Sequence, residues 1–72
     1  MEKFRIWITF ETGDSHLDTD WCTQEALLSS LRRLLHGPAA KMGIIAEIKV
    51  VDTMDCIVFL VRNGEQVFPE VA

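Results

Sequence analysis

Cys56-Ile57-Val58-Phe59-Leu60-Val61 is the stretch that decides the fold of this chain. All six of its residues are apolar; Asp55 precedes them and Arg62-Asn63-Gly64 follows. A short apolar run that is rich in β-branched residues and bounded by turn residues is typical of a strand with apolar side chains on both faces. Something must therefore cover each face of this strand.

The residues on both sides of this run extend it into a meander. Asn63-Gly64 is a strong hairpin signal, because both positions of a type I′ turn need positive φ. It predicts a return strand over Glu65-Gln66-Val67-Phe68, which Pro69 ends at a sheet edge. Upstream, Ile44 to Val51 predicts another strand by its alternation. The side chains of this strand expected to face a helix are Ile44, Ala46, Ile48 and Val50.

The first half of the chain predicts one more strand and the helix. Lys3 to Glu11 alternates and has one fully apolar face, formed by Phe4, Ile6, Ile8 and Phe10. Thr12 to Asp20 is expected to be a polar loop, and Asp20 or Thr23 can serve as the helix N-cap. The helix is expected to reach about His36, before Gly37-Pro38. Its apolar stripe consists of Leu27, Leu28, Leu31, Leu34 and Leu35.

These elements predict an α+β fold in the order β-α-β-β-β, with a small antiparallel-rich sheet and one helix packed on one face. The 72 residues are expected to form a single domain, residues 1–72. A chain of this length buries only about 60% of the surface that its unfolded form exposes, so oligomerisation would strengthen its core. The order of the strands in the sheet is not determined by the sequence.

Composition limits the classes of partner. The formal net charge of −4 argues against direct binding to nucleic acid and to anionic membrane surfaces. No apolar run is long enough to span a bilayer, and the start of the chain reads as a strand rather than as a signal peptide. We therefore expect a cytoplasmic protein, in which Cys22 and Cys56 are free thiols and Cys56 is a small buried hydrophobe.

The acidic residues are concentrated in one region. Between Ile6 and Leu31 the chain contains no Lys or Arg. The five carboxylates in this region are Glu11, Asp14, Asp18, Asp20 and Glu25. We expect them to form a charged contact surface for a protein partner.

A metal site in the same region is the alternative interpretation. The calcium-ligand spacing of an EF-hand loop is matched by Asp14, His16, Asp18, Asp20, Cys22 and Glu25. The match fails at the position that requires glycine, where Thr19 stands, and the preceding element is a strand instead of a helix. A solvated loop is the preferred interpretation, so no metal and no cofactor is predicted.

The sequence signals for a catalytic site and for an anion-binding site are weak. Cys22 with His16 could form a nucleophile pair, but the neighbouring carboxylates oppose a lowered thiol pKa. We expect no catalytic residues and no enzymatic activity. A basic cluster, defined as Arg32, Arg33, His36 and Lys41, would attract phosphate, yet it is better explained as stabilising the C-terminal end of the helix.

The sheet face away from the helix is the second candidate surface. The residues predicted to form it are Trp7, Val51, Ile57, Phe59 and Val61. An apolar patch rimmed by charges is typical of an interface, and two copies could bury it with Trp7 and Phe59 as anchors.

The sequence therefore predicts a small acidic protein-binding module that acts as a homodimeric regulator or inhibitor. A phage- or mobile-element-encoded inhibitor that blocks a basic nucleic-acid-binding protein is one form of this role. The alternative is a small-ligand or divalent-metal-binding module that uses the acidic loop Asp14–Glu25.

Overall fold

A computed structural model describes residues 3–70. The elements, in chain order, are β1 Phe4–Phe10, β2 Ser15–Cys22, α1 Gln24–His36, α2 Pro38–Lys41, β3 Ile45–Asp52, β4 Ile57–Arg62 and β5 Glu65–Phe68. The strands form one five-stranded sheet in the order β2-β1-β3-β4-β5, and every neighbouring pair is antiparallel. The predicted α+β fold, with an antiparallel sheet and a main helix on one face, is confirmed.

The strand β2 was not predicted. We expected a polar loop from Thr12 to Asp20, but Ser15–Cys22 pairs with β1 as an edge strand. A tight turn joins the two strands, in which Gly13 has a φ of 97° and the Phe10 amide donates to the Asp14 carbonyl at 2.8 Å. An edge strand pairs on one side only and can remain largely solvated. It can therefore have a polar composition, without the apolar alternation by which strands are recognised in a sequence.

The helix α1 begins where its first-turn chemistry predicts. The Thr23 side chain accepts a hydrogen bond from the Ala26 amide at 3.3 Å, so Thr23 and not Asp20 is the N-cap. Along the helix after this cap, the buried side chains of Leu27, Leu31 and Leu34 pack on the sheet. The strand residues of this core are Phe4, Ile6, Ile8, Ile48, Val50 and Val61.

The single long helix is narrower than the sheet. Its backbone lies closest to β1 and β2. A helix is about 10 Å across and neighbouring strands lie about 4.8 Å apart, so α1 covers roughly two strands. The helix side of β4 and β5 is consequently only partly covered, which leaves Val58 and Phe59 half-buried.

Gly37 ends α1 because of a close backbone approach. Its φ of −79° is open to any residue, but a Cβ placed there would lie 2.6 Å from the Arg33 carbonyl oxygen. Pro38 then starts the short helix α2, where its missing amide hydrogen has no cost. The sequence identified this helix end correctly, although the reason is steric and not a left-handed conformation.

The two hairpins of the meander differ in their turns. Asn63 and Gly64 have φ values of 52° and 80°, as the predicted β4–β5 hairpin requires. In the β3–β4 turn, the Asp52 carboxylate accepts from the Met54 and Cys56 amides at 2.9 and 3.0 Å. Cys56 therefore belongs to the turn and is exposed, so its predicted burial is wrong.

Candidate functional site

The sheet face away from α1 is the most distinctive surface of the molecule, and we call it the open face. Side chains directly opposite each other on neighbouring antiparallel strands share a face, so the register identifies its members. Leu17, Trp7, Lys49, Leu60 and Phe68 form one row across all five strands. A second row contains Arg5, Val51 and Ile57. A polar third row contains Ser15, Thr9, Glu47, Arg62 and Glu65.

Trp21 joins the open face through a bulge in β2. The register between β1 and β2 shifts on both sides of Ile6, so that Asp20 and Trp21 lie beside Arg5. The Arg5 guanidinium carbon lies 4.0 Å from the centroid of the Trp21 ring, and its Nε donates to the Asp20 carboxylate at 2.8 Å. Cation–π stacking and the ion pair together hold the Trp21 ring at the edge of this face.

The open face is apolar at its centre and partly exposed around it. Val51 and Leu60 are only 6% and 7% exposed, since they lie among longer side chains of the neighbouring strands. The exposed apolar side chains around them are Leu17 at 40%, Trp21 at 39%, Ile57 at 43% and Phe68 at 46%. Several large apolar side chains exposed together on one surface are typical of a binding surface, whereas single exposed ones are ordinary.

Charges on the open face balance. Its cations are Arg5, Lys49 and Arg62, and its carboxylates are Asp20, Glu47 and Glu65. Two of these carboxylates are engaged within the face: Asp20 with Arg5, and Glu47 with Arg62 at 2.9 Å. Because the whole chain carries −4, the excess negative charge lies on its other surfaces.

The predicted membership of this face was right for three residues and wrong for two. Trp7, Val51 and Ile57 lie on the open face. Phe59 and Val61 lie on the helix side, because Phe59 pairs with the buried core residue Val50 and Val61 packs in the core. Leu60 takes the place that the sequence analysis gave to Phe59.

A bulge in β4 explains this error. The register shifts between the pairs Val50–Phe59 and Val51–Ile57, which leaves Val58 as the extra residue. Ile57 consequently faces away from the helix, while Val58 and Phe59 both pack against the core. In a run where every residue is apolar, alternation cannot indicate which set of side chains faces the helix.

The five carboxylates of the acidic region do not form one surface. Asp18 and Asp20 lie in β2 and point to opposite faces, where Asp18 accepts from Arg33 of α1 at 3.0 Å and Asp20 from Arg5. Glu11 and Asp14 lie at the β1–β2 turn, and Glu25 lies in the first turn of α1. Since each strand residue advances about 3.3 Å, the turn and the start of α1 are separated by roughly 20 Å.

The same geometry bears on metal and thiol chemistry. Within residues 3–70, no three His, Cys, Asp or Glu side chains are placed to hold a metal ion. His16 pairs with Ile8, and Cys22 pairs with Phe4 at the other end of β1, so the two cannot act as a nucleophile and base. Burial raises the pKa of the Cys22 thiol, with a smaller opposing contribution from a backbone hydrogen bond, which disfavours the reactive thiolate.

Four open-face residues escaped the sequence analysis: Leu17, Trp21, Leu60 and Phe68. Leu17, Thr19 and Trp21 are residue types that favour strands and alternate with Asp18 and Asp20, and this weak pattern was the available signal for β2. Trp21 directly follows the expected polar loop and lies between the two candidate helix caps, Asp20 and Thr23. Phe68 belonged to a correctly predicted strand, but its face depended on a second bulge, between the pairs Leu60–Phe68 and Val61–Gln66.

The fold and this surface define the class of the molecule: a small α+β domain with one face of its sheet left open. Comparison of the chain with protein-family models, with curated proteins and with solved structures finds no match in any of the three. None of the helices within residues 3–70 is long and apolar enough to cross a membrane.

Proposed function

We propose that this protein is a small, non-enzymatic protein-binding module that forms a homodimer through the open face. The observation that carries the proposal is the ring of exposed apolar side chains around the buried centre of that face: Leu17, Trp21, Ile57 and Phe68. Burying apolar area removes it from water at about 25 cal/mol per Å². A partner that covers this ring therefore gains a hydrophobic contribution to the free energy of binding.

The balance of charge favours a second copy of the chain as the partner. Two molecules that each carry −4 repel each other, and the repulsion is weakest when their neutral surfaces meet. The open face has three cations and three carboxylates, so it is such a surface. About a two-fold axis, Lys49 of one copy can also approach a carboxylate of the other.

The limited size of the core supports the same conclusion. The main helix packs on one face of the sheet, and a small domain gains stability when a partner covers the other face. The proposal extends to a regulatory or inhibitory role in the cytosol, where Cys22 and Cys56 stay reduced. In this proposal the main contact surface is the open face and not the five carboxylates of the acidic region, because those carboxylates point in different directions.

Sedimentation equilibrium at micromolar concentrations tests the proposal. The parent is expected to be a dimer, and Leu17→Ser combined with Phe68→Ser is expected to be a monomer with an unchanged far-UV spectrum. Both side chains are well exposed, so their replacement leaves the core intact. The matched control is Leu28→Ser combined with Met54→Ser, which removes exposed apolar side chains outside the open face and should leave the dimer unaffected.

Three results would contradict the proposal. A monomeric parent would exclude self-association at these concentrations. A dimer that survives the Leu17 and Phe68 replacements, or that dissociates in the Leu28 and Met54 control, would place the interface on another surface.

A further inference from the structure

A cavity of about 320 Å³ lies on the helix side of the sheet, opposite the open face. It occupies the space between the end of α1, the short helix α2, and the strands β3 and β4. Its partly exposed apolar wall consists of Leu35, Ala40 and Ile45, which lie over the buried core residues Ile48 and Val61. The cavity exists because α1 lies over β1 and β2 and leaves the neighbouring strands uncovered. Its volume is at the lower end of the range for small-molecule sites, roughly 300–1,000 Å³.

One cationic residue, Lys41, lines this cavity. Lys41 and His36, two members of the basic cluster, line it from the ends of the two helices. Glu47 also borders it, but its side chain belongs to the open face and accepts a hydrogen bond from Arg62 at 2.9 Å. The Glu47 carboxylate is therefore already neutralised by an ion pair with Arg62.

Lys41 is not required to cap the helix that carries it. The carbonyl oxygens of Gly37, Pro38, Ala39 and Ala40 already accept backbone hydrogen bonds from residues 41–44. Among residues 3–70, Lys41 forms no ion pair. Its ammonium group is therefore available to a ligand, which revises our interpretation of the basic cluster as only a helix-end stabiliser.

We propose that this cavity binds a small amphipathic carboxylate. The apolar body of the ligand packs against Leu35, Ala40 and Ile45, the apolar lining residues that are partly exposed, and its carboxylate accepts a charge-assisted hydrogen bond from the Lys41 ammonium group. His36 also lines the cavity and carries a side chain that can form a hydrogen bond. An apolar wall with a few polar groups at one end is the arrangement by which small-ligand sites fix orientation.

The probe for this site is decanoate, used below its micelle-forming concentration, with decanol and decylammonium as matched ligands. In ¹H–¹⁵N correlation spectra, decanoate should shift the amides of the cavity residues Ala46, Asn63 and Gly64 in a saturable manner. Decanol should bind more weakly and decylammonium most weakly, since neither supplies a negative charge to Lys41.

Two variants separate charge from shape. Lys41→Gln should weaken decanoate binding by about fivefold, the effect of a partly exposed ion pair, and leave decanol binding unchanged. Lys3→Gln is the charge-matched control and should have no effect. Lys3 precedes Phe4, which pairs with Asp52 at the end of β3 opposite the cavity. Ala46→Leu fills the cavity and should abolish the binding of both ligands, with thermal melting used to verify that the variant is folded.

Equal binding of decanoate and decanol, or an unchanged decanoate affinity in Lys41→Gln, would overturn the proposal. Shifts centred on open-face residues such as Leu17 and Phe68 would also overturn it, since they would indicate non-specific adsorption. The inference does not depend on dimer formation, because the cavity and the open face lie on opposite sides of the sheet. The oligomeric state of the same samples tests the dimer proposal, and the decanoate titration tests the cavity proposal.

Discussion

At the scale of single residues, the start of α1 depends on Thr23. Its hydroxyl accepts the hydrogen bond from the Ala26 amide, one of the first-turn donors that have no partner within the helix. Thr23→Ala should lower the free energy of unfolding by roughly 0.5–2 kcal/mol, measured by urea denaturation. Thr23→Ser keeps the hydroxyl oxygen and should restore most of the loss. If both variants unfold like the parent, the cap does not stabilise the helix.

Residues whose role depends on local chemistry were predictable from the sequence. Asn63-Gly64 and the Gly37-Pro38 helix end were placed correctly, and Thr23 was one of two candidates for the cap. The exposed position of Cys56 was not predictable. The Asp52 carboxylate accepts a hydrogen bond from the Cys56 amide, which extends the turn by one residue. That contact depends on the conformation of the turn, which the run of apolar residues did not indicate.

At the scale of elements, the sequence identified every strand that has a strong apolar pattern and missed β2. This strand is recognised in the structure by its pairing with β1 and by side-chain contacts such as Thr9 with Ser15, whose oxygens lie 2.9 Å apart. Its contribution to the core is small, so selection for apolar residues at alternate positions is weak. The candidate surface changed as a consequence, because the expected acidic loop became one edge of the open face.

The bulge in β4 leads to a prediction about its two faces. Phe59 packs against the helix-side core, whereas Ile57 is 43% exposed on the open face. Phe59→Ala should cost about 2 kcal/mol of unfolding free energy, less than for a fully buried phenylalanine because the side chain is half-buried. Ile57→Ala should cost under about 1 kcal/mol in the monomer.

Urea denaturation measures both, in the Leu17→Ser and Phe68→Ser background so that association does not contribute. A larger loss for Ile57→Ala than for Phe59→Ala would mean that the faces are reversed. In that case the original assignment of Phe59 to the interface would be restored.

At the scale of the whole molecule, the distribution of charge predicts the effect of salt. If neutral faces meet while the remaining surfaces repel, added salt screens the repulsion and the dimer dissociation constant should fall as ionic strength rises. Sedimentation equilibrium across a NaCl series measures this dependence. Binding that relied on the carboxylates Glu11, Asp14 and Glu25 meeting a basic partner would weaken with salt instead.

The order of the strands could not be predicted from the sequence. The central position of the β1–β3 pairing in that order determines how the chain must fold. The chain before Gly37 supplies β2, β1 and α1, and the chain after it supplies β3, β4 and β5. The strands of the two halves are joined by one pairing, which we call the seam: β1 with β3, from Phe4–Asp52 to Phe10–Ile45.

Because the seam brings together residues far apart in sequence, its loop-closure entropy must be overcome before the core is complete, which slows folding. Until then each half exposes an unpaired strand edge flanked by apolar side chains: Ile6 and Ile8 in one, Ile48 and Val50 in the other. Those two edges are each other's correct partners, but they can equally recruit the complementary half of another molecule. Newly made chains at high concentration can therefore exchange strands at this seam and form domain-swapped species. If the chain were divided at Gly37, the two fragments would have to form the β1–β3 pairing to rebuild the sheet.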